Sequence, residues 1–236
     1  MSTMTERGIL FSGAMVRALL DGTKTQTRRA VMMPPSWDCI VYADFGNGWW
    51  PYRSDDGESP SYDNNEIPLR CPYGQPGDRL WVRETCAGEE LRTGQDGVRY
   101  VADNAFLPIK DSPSVAIDWL KLHTYGLKPG QRPGSLMGRK VPSIHMPRWA
   151  SRILLEIVSA RVERLQDISQ RDAVAEGLVR LPASGRYVVT QGDQYFGLAD
   201  PDPRVVYSNL WESLNGAGSW DANPWVWMVE FRRIEP

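Results

Sequence analysis

Apolar and polar positions follow recognisable periods in several short stretches of the chain. Met15/Leu19 and Val16/Leu20 are i,i+4 pairs, which predicts a short helix with one apolar face. Ser12 stands where an N-cap belongs, and Gly22 supplies the left-handed position that ends such a helix. Lys24 follows directly, and Thr25, Thr27 and Val31 fit an extended strand. Leu80, Val82 and Glu84 alternate with Arg79, Trp81 and Arg83, which predicts a strand within residues 78–85. Ile153, Leu155 and Ile157 alternate in a strand whose other side carries Leu154, Glu156 and Val158, a pattern expected of a core strand covered on both faces. Residues 161–165 continue as a neighbouring strand after a bend or bulge near Ser159-Ala160. Ser169 as N-cap, Asp172 three residues on and the pair Ile168/Ala173 predict a helix that Gly177 ends. Asp202-Pro203 opens a further helix with Val206, Leu210 and Leu214 as its buried stripe, stopped at Asn215-Gly216. Trp225, Trp227, Val229 and Phe231 alternate in a last strand.

Between these elements the periodicity fails. Residues 33–70 are dominated by Pro, Gly, Asp, Asn, Trp and Tyr and read as a long ordered insertion or loop. Residues 87–141 are a second irregular stretch, with a strand at 98–102, a short helix near 115–122 and a loop at 127–139. Strands scattered among a few helices, without regular βαβ alternation, predict an α+β fold. The late helix and last strand need the early strands to close a core, so one domain over 1–236 with two insertions, at about 33–70 and 87–141, is expected over two independent domains.

Composition narrows the class. The 236 residues are 42% hydrophobic and 24% charged, ordinary for a globular protein. No run of about 18 apolar residues exists, so no membrane helix and no membrane partner are expected. The first eight residues carry both charges and no apolar core, unlike a secretory signal. Cys39, Cys71 and Cys86 are odd in number and widely spaced, which fits a reducing cytoplasm. With no CxxC pair and only His123 and His145 as histidines, no metal site is expected. The net charge is −2, yet residues 139–171 carry seven basic side chains against three acidic ones, and residues 16–29 four against one. These segments contact phosphates if they share a face; otherwise they are solvated strand and helix surfaces.

Lys24 is the first candidate for chemistry. The run Gly22-Thr23-Lys24-Thr25-Gln26-Thr27-Arg28-Arg29 holds three hydroxyls and three cations in eight positions. A lysine near other cations and partly desolvated has a lowered pKa and can activate a hydroxyl; the plainer alternative is a solvated lysine. Glu176 is the second. It falls in the last turn of its helix, where the macrodipole disfavours a negative charge, so it either has a partner or is exposed. The tryptophans 49, 50, 81, 149, 220, 225 and 227 are either stacking platforms or core and loop anchors. His145 is a weaker candidate, and no dinucleotide, P-loop or serine-hydrolase motif is present.

Several blocks resemble phage and prophage proteins of the ASCH family. They are Ile9-Leu10-Phe11-Ser12, the 22–29 run, Gly77-Asp78-Arg79-Leu80-Trp81-Val82-Arg83-Glu84, Pro142-Ser143-Ile144-His145-Met146-Pro147-Arg148-Trp149-Ala150, and Trp211-Glu212-Ser213-Leu214-Asn215-Gly216 with Trp225-Val226-Trp227. The resemblance implies a PUA-like β-barrel with a cleft for RNA or a nucleoside, in a bacterial host cytoplasm, with no cofactor. Small bacterial N4-acetylcytidine amidohydrolases are distantly similar, with a Lys, a Thr three residues later and a Glu on a later helix. That pattern places Lys24, Thr27 and Glu176 as catalytic residues: Thr27 the nucleophile, Lys24 its activator, Glu176 the residue that orients Lys24 and shuttles protons. Thr25, Arg28, Arg29 and Arg148 would line the substrate site. The implied partner is a modified nucleoside or single-stranded RNA. Non-catalytic RNA or modified-base binding, or ribonuclease action, are the alternatives, and the sequence sets no oligomeric state.

Overall fold

A computed structural model describes residues 4–32, 39–44, 49–54, 69–110, 112–128, 130–131 and 133–235. Along the chain these form β1 (Glu6–Leu10), α1 (Gly13–Leu20), β2 (Gln26–Ala30), β3 (Cys39–Asp44), β4 (Trp49–Ser54), β5 (Arg79–Arg83), β6 (Cys86–Glu90), β7 (Asp96–Tyr100), β8 (Phe106–Pro108), α2 (Pro113–His123), β9 (Leu154–Arg164), α3 (Gln170–Ala175), β10 (Val179–Arg180), β11 (Tyr187–Val188), α4 (Pro203–Asn215) and β12 (Trp225–Ile234), with four short 3-10 turns. The fold is mixed α+β, as the scattered pattern predicts.

The central sheet runs β1-β5-β9-β12-β2. β1 and β5 are parallel and the other neighbours antiparallel. One face gathers Ile9, Leu80, Leu155, Ile157, Val162, Trp227, Val229 and Phe231 with Met15, Val16 and Leu19 of α1 into a single buried cluster. The opposite face of β12 carries Val226, which packs with Leu165, Ile168, Ala173 and the Val206, Tyr207 and Trp211 of α4. Both sides of β12 are therefore covered. No ladder joins β1 to β2 among the described residues, which therefore form no closed barrel. A side chain spans that seam instead: Arg29 Nη2 donates to the Leu10 carbonyl at 2.7 Å.

Three readings of the sequence need correction. β9 is one eleven-residue strand rather than two. Its irregularity lies where Glu230 pairs with Ser159 and Phe231 with Ile157. Val158 is thus the extra, unpaired residue, a bulge that bends the strand without breaking it. The first insertion contains a hairpin, β3–β4, against which Leu69 N donates to the Pro51 carbonyl at 2.8 Å; residues 33–38, 45–48 and 55–68 lie outside the described residues. In the second insertion the expected strand and helix are present as β7 and α2, and the stretch read as irregular gains β6 and β8. β6, β7 and β8 form a sheet on which α2 packs, with Trp119 Nε1 donating to the Gly97 carbonyl at 2.8 Å. Arg152 ties this subdomain to the main sheet by paired hydrogen bonds to Glu84 (2.8 and 2.9 Å) and Asp103 (2.8 and 2.9 Å). No helix among the described residues is long and apolar enough to cross a membrane.

Candidate active site at the free edge of β2

Local chemistry delivers Lys24 to its place. The Ser12 hydroxyl caps α1 by accepting from Met15 N, and Gly22 takes φ +74° to turn the chain off the helix end. The Ala18 carbonyl then accepts from both Thr23 N and Lys24 N, at 2.9 and 3.1 Å. Beyond the turn, Lys24 pairs across an antiparallel bridge with Glu176, and Thr25 N donates to the Ala175 carbonyl at 2.9 Å. On the other side, Ser169 caps α3 by accepting from Asp172 N, and Glu176 is the C-cap. Gly177 follows at φ +100°, with space so tight that a Cβ would sit 2.8 Å from Ala18 Cβ. That close approach presses the end of α3 onto α1 and brings Glu176 against Lys24.

The Lys24 ammonium donates three hydrogen bonds, all at 2.9 Å: to Glu176 Oε2, to the Glu176 carbonyl and to the Gln26 carbonyl. These are all the donors a lysine has. Its side chain is 0% exposed and that of Glu176 2%. Burial lowers the Lys24 pKa below its ordinary value; Glu176 opposes the shift, and Arg29 and Arg28 add to it. Arg28 Nη1 donates to the other Glu176 oxygen, Oε1, at 3.0 Å, and Arg28 Nε donates to Glu163 Oε1 at 2.8 Å. Arg28 Nη2 lies 2.6 Å from that same Glu163 oxygen but off a hydrogen-bonding direction, so the Nε contact is the directed one. Burial opposes the Arg28 charge, yet Glu176 and Glu163 carry its pKa above the ordinary value. The result is a buried chain of alternating charges, Lys24–Glu176–Arg28–Glu163. Gln26 steadies it from below by donating to the Asp172 carbonyl at 2.8 Å.

Beside this chain lies a cavity of ≈ 40 Å³, lined by Met15, residues 27–30, Glu176 and the inner side of α4 at Tyr207, Leu210, Trp211 and Leu214. It has room for about three water molecules, since one needs about 10–15 Å³ on this measure. Thr27 is 1% exposed and Tyr207 3%, and neither hydroxyl makes a hydrogen bond to a described residue. β2 also contributes main-chain groups. Phe231 N donates to the Thr25 carbonyl and Val31 N to the Trp225 carbonyl, so odd-numbered residues of β2 bond to β12. In an antiparallel pair the residues between them point N–H and C=O the other way. Arg28 and Ala30 therefore point their N–H groups to the side where β2 has no strand neighbour among the described residues.

The structure brings Lys24 and Arg28 into contact with Glu176, and Thr27 lines the cavity that Arg28 and Glu176 also line. Arg29 lines the same cavity, is half-buried and lies 5.6 Å from the Phe11 ring centre, with Lys24 Nζ 5.4 Å from that ring. Thr25 is exposed and engages through its main chain. Arg148 shares no contact with this cluster; it ion-pairs with Glu6 and lies 6.0 Å from the Trp81 ring. The basic stretch 139–171 is largely committed to internal partners. Arg152 is bound as above, Arg161 pairs with Glu163 at 2.9 Å, and Arg164 lies 4.4 Å from the Trp225 ring. The tryptophans are mostly anchors: Trp227 is 1% exposed, and Trp225 stacks on Tyr42 at 4.4 Å. His145 is exposed beside Tyr125. No group of three or more potential metal ligands occurs among the described residues.

Glu163 and Tyr207 were missed from sequence. Glu163 meets Arg28 across a separation of 135 residues, and Tyr207 reads locally as one more aromatic flanking an apolar stripe. Comparison with protein-family models, curated proteins and solved structures found no match.

Proposed function

We propose that the chain is an ASCH-type protein whose five-stranded sheet is a PUA-like barrel left open at the β1/β2 seam, and that it hydrolyses N4-acylated cytidine-type nucleosides. The observation that carries this reading is the sequestered Lys24–Glu176 pair beside a small cavity that Thr27 lines. A buried ammonium and carboxylate in contact can exchange a proton without changing their net charge, and burial already favours the amine form of Lys24.

In the proposed reaction one proton crosses from Lys24 Nζ to Glu176 Oε2, leaving an amine and a carboxylic acid. The amine takes the Thr27 Oγ1 proton as that oxygen bonds to the acyl carbon. The free-edge N–H groups of Arg28 and Ala30 stabilise the oxyanion. Collapse breaks the C–N4 bond, and the Glu176 proton goes to the departing nitrogen. Cytidine leaves, the pair is again ammonium and carboxylate, and Thr27 carries an acyl ester. Water then displaces Thr27, returning one proton to Oγ1 and releasing a carboxylate and a proton to solvent.

Single-stranded RNA binding and cleavage are the rival readings. The internal commitments of Arg148, Arg152, Arg161 and Arg164 weigh against a continuous phosphate track. The test is acid quenching during turnover of N4-acetylcytidine, followed by peptide mass spectrometry. An acetyl ester on the peptide containing Thr27, lost in Thr27→Val, supports the reading. Undiminished turnover by folded Thr27→Val removes Thr27 as nucleophile.

A further inference from the structure

Building on the amide-cleavage reading, we infer that the ≈ 40 Å³ cavity is an acyl pocket that accepts only short acyl groups, and that Tyr207 is a further catalytic residue that donates its hydroxyl proton in a hydrogen bond to the acyl oxygen.

Size carries the first half. Room for about three waters matches an acetyl group, with its methyl, carbonyl carbon and oxygen, and leaves none for an aromatic acyl group or for the pyrimidine, which stays at the mouth. The walls do not yield easily. Met15 is part of the main core, and Trp211 belongs to the buried cluster between α4 and the sheet. Widening the pocket at Met15, Tyr207 or Trp211 means displacing a buried side chain.

The second half rests on an unused hydroxyl. Tyr207 sits in α4 with its ring between Trp211 and Trp220: centroid separations are 6.4 Å to Trp211 and 6.2 Å, edge-on, to Trp220. It shares the cavity with Thr27 and Glu176, and its hydroxyl makes no hydrogen bond to a described residue. Burial, and then the Glu176 carboxylate, push its pKa well above the ordinary value. The phenol therefore stays protonated, as a donor must. A pre-placed donor that meets charge only as it develops lowers the barrier without tightening ground-state binding.

The experiment measures kcat and KM of the full-length protein on N4-acetylcytidine and N4-benzoylcytidine, for wild type and Tyr207→Phe. The Phe variant keeps the ring and its packing, and a thermal melt checks that it is folded. Wild type should prefer the acetyl substrate by about 100-fold or more in kcat/KM. Tyr207→Phe should lower kcat on it by about 100-fold with KM little changed. Equal turnover of the benzoyl substrate overturns the short-acyl pocket. Full kcat in Tyr207→Phe overturns the donor role while leaving amide cleavage intact. A wild-type protein that turns over neither substrate overturns this inference together with the reading beneath it.

Discussion

Lys24 Nζ and Glu176 Oε2 stand 2.9 Å apart with both side chains closed to solvent. Breaking such a pair from one side strands a buried charge, whereas removing both charges does not. Glu176→Ala should destabilise the protein by about 3–5 kcal/mol. Lys24→Met should cost less, because Arg28 still neutralises Glu176. Joining Lys24→Met to Glu176→Ala should cost less than the sum of the two single losses. Urea unfolding of the set checks this, and strict additivity would show that the two residues are not energetically coupled.

The same pair sets an alkaline trend. Burial lowers the Lys24 pKa from 10.5, so between the lowered value and 10.5 the folded chain holds fewer protons at this site than the unfolded chain. Stability from this group therefore rises with pH through that window. Urea midpoints of wild type should gain on those of Lys24→Met as pH climbs towards about 10; parallel curves would contradict the lowered value.

Much of this site was legible because it is built by local rules. Ser12, Gly22, Ser169 and Gly177 are cap and stop residues whose meaning lies within a few positions, and together they place Lys24 and Glu176 at helix ends. The unfavourable dipole position of Glu176 left a partner or exposure open, and the structure supplies two partners. The rest was hidden by distance. Glu163 reaches Arg28 only because β12 lies between β9 and β2, and the unused edge of β2 exists only once the sheet order is known. The hairpin β3–β4 was hidden by Pro51 and by loop-like flanks, and β6 by the alanine and glycine of Cys86-Ala87-Gly88. Arg148 was placed at the site by resemblance, while its charge is taken by Glu6.

Arg152 should prove a structural keystone. Glu84 is 2% exposed, and Arg152 is its hydrogen-bonded counter-charge among the described residues. Arg152→Ala should destabilise by about 3–5 kcal/mol, as for other buried pairs broken from one side. Arg152→Lys should fall between, because lysine cannot reproduce the paired bonds to two carboxylates. Thermal unfolding would show a wild-type-like Arg152→Ala if the network contributes nothing.

The buried thiols should be inert. Burial, with Glu84 adding to it, pushes the Cys86 thiol up to about 12, and burial also raises Cys71. Thiolate is the reactive form. Treatment with a disulfide reagent at about pH 8 and peptide mapping should find Cys71 and Cys86 unmodified in native protein and modified in urea. Rapid native labelling of Cys86 would contradict its burial.

Asp78 marks the acid side. Desolvation pulls its pKa up, but hydrogen bonds from Thr5, Gln75 and Arg7 bring it down to about 2. A lowered carboxyl stabilises the fold above its ordinary pKa near 3.8, and that contribution is lost as pH falls towards about 2. A carboxyl carbon titration followed by NMR should give an Asp78 midpoint near 2; a midpoint near the ordinary value would remove this anchor between the N-terminal strand and the 75–78 turn.

The central claim is that the Lys24–Glu176 pair drives amide cleavage. The most direct measurement is chromatographic: incubate the purified protein with N4-acetylcytidine and follow cytidine, with Lys24→Met and Glu176→Gln verified as folded. The account predicts turnover by wild type, little changed by added salt because the substrate is neutral, and a loss of at least about 100-fold in either variant. No cytidine from folded wild-type protein at high concentration, or undiminished turnover in Lys24→Met, would contradict it.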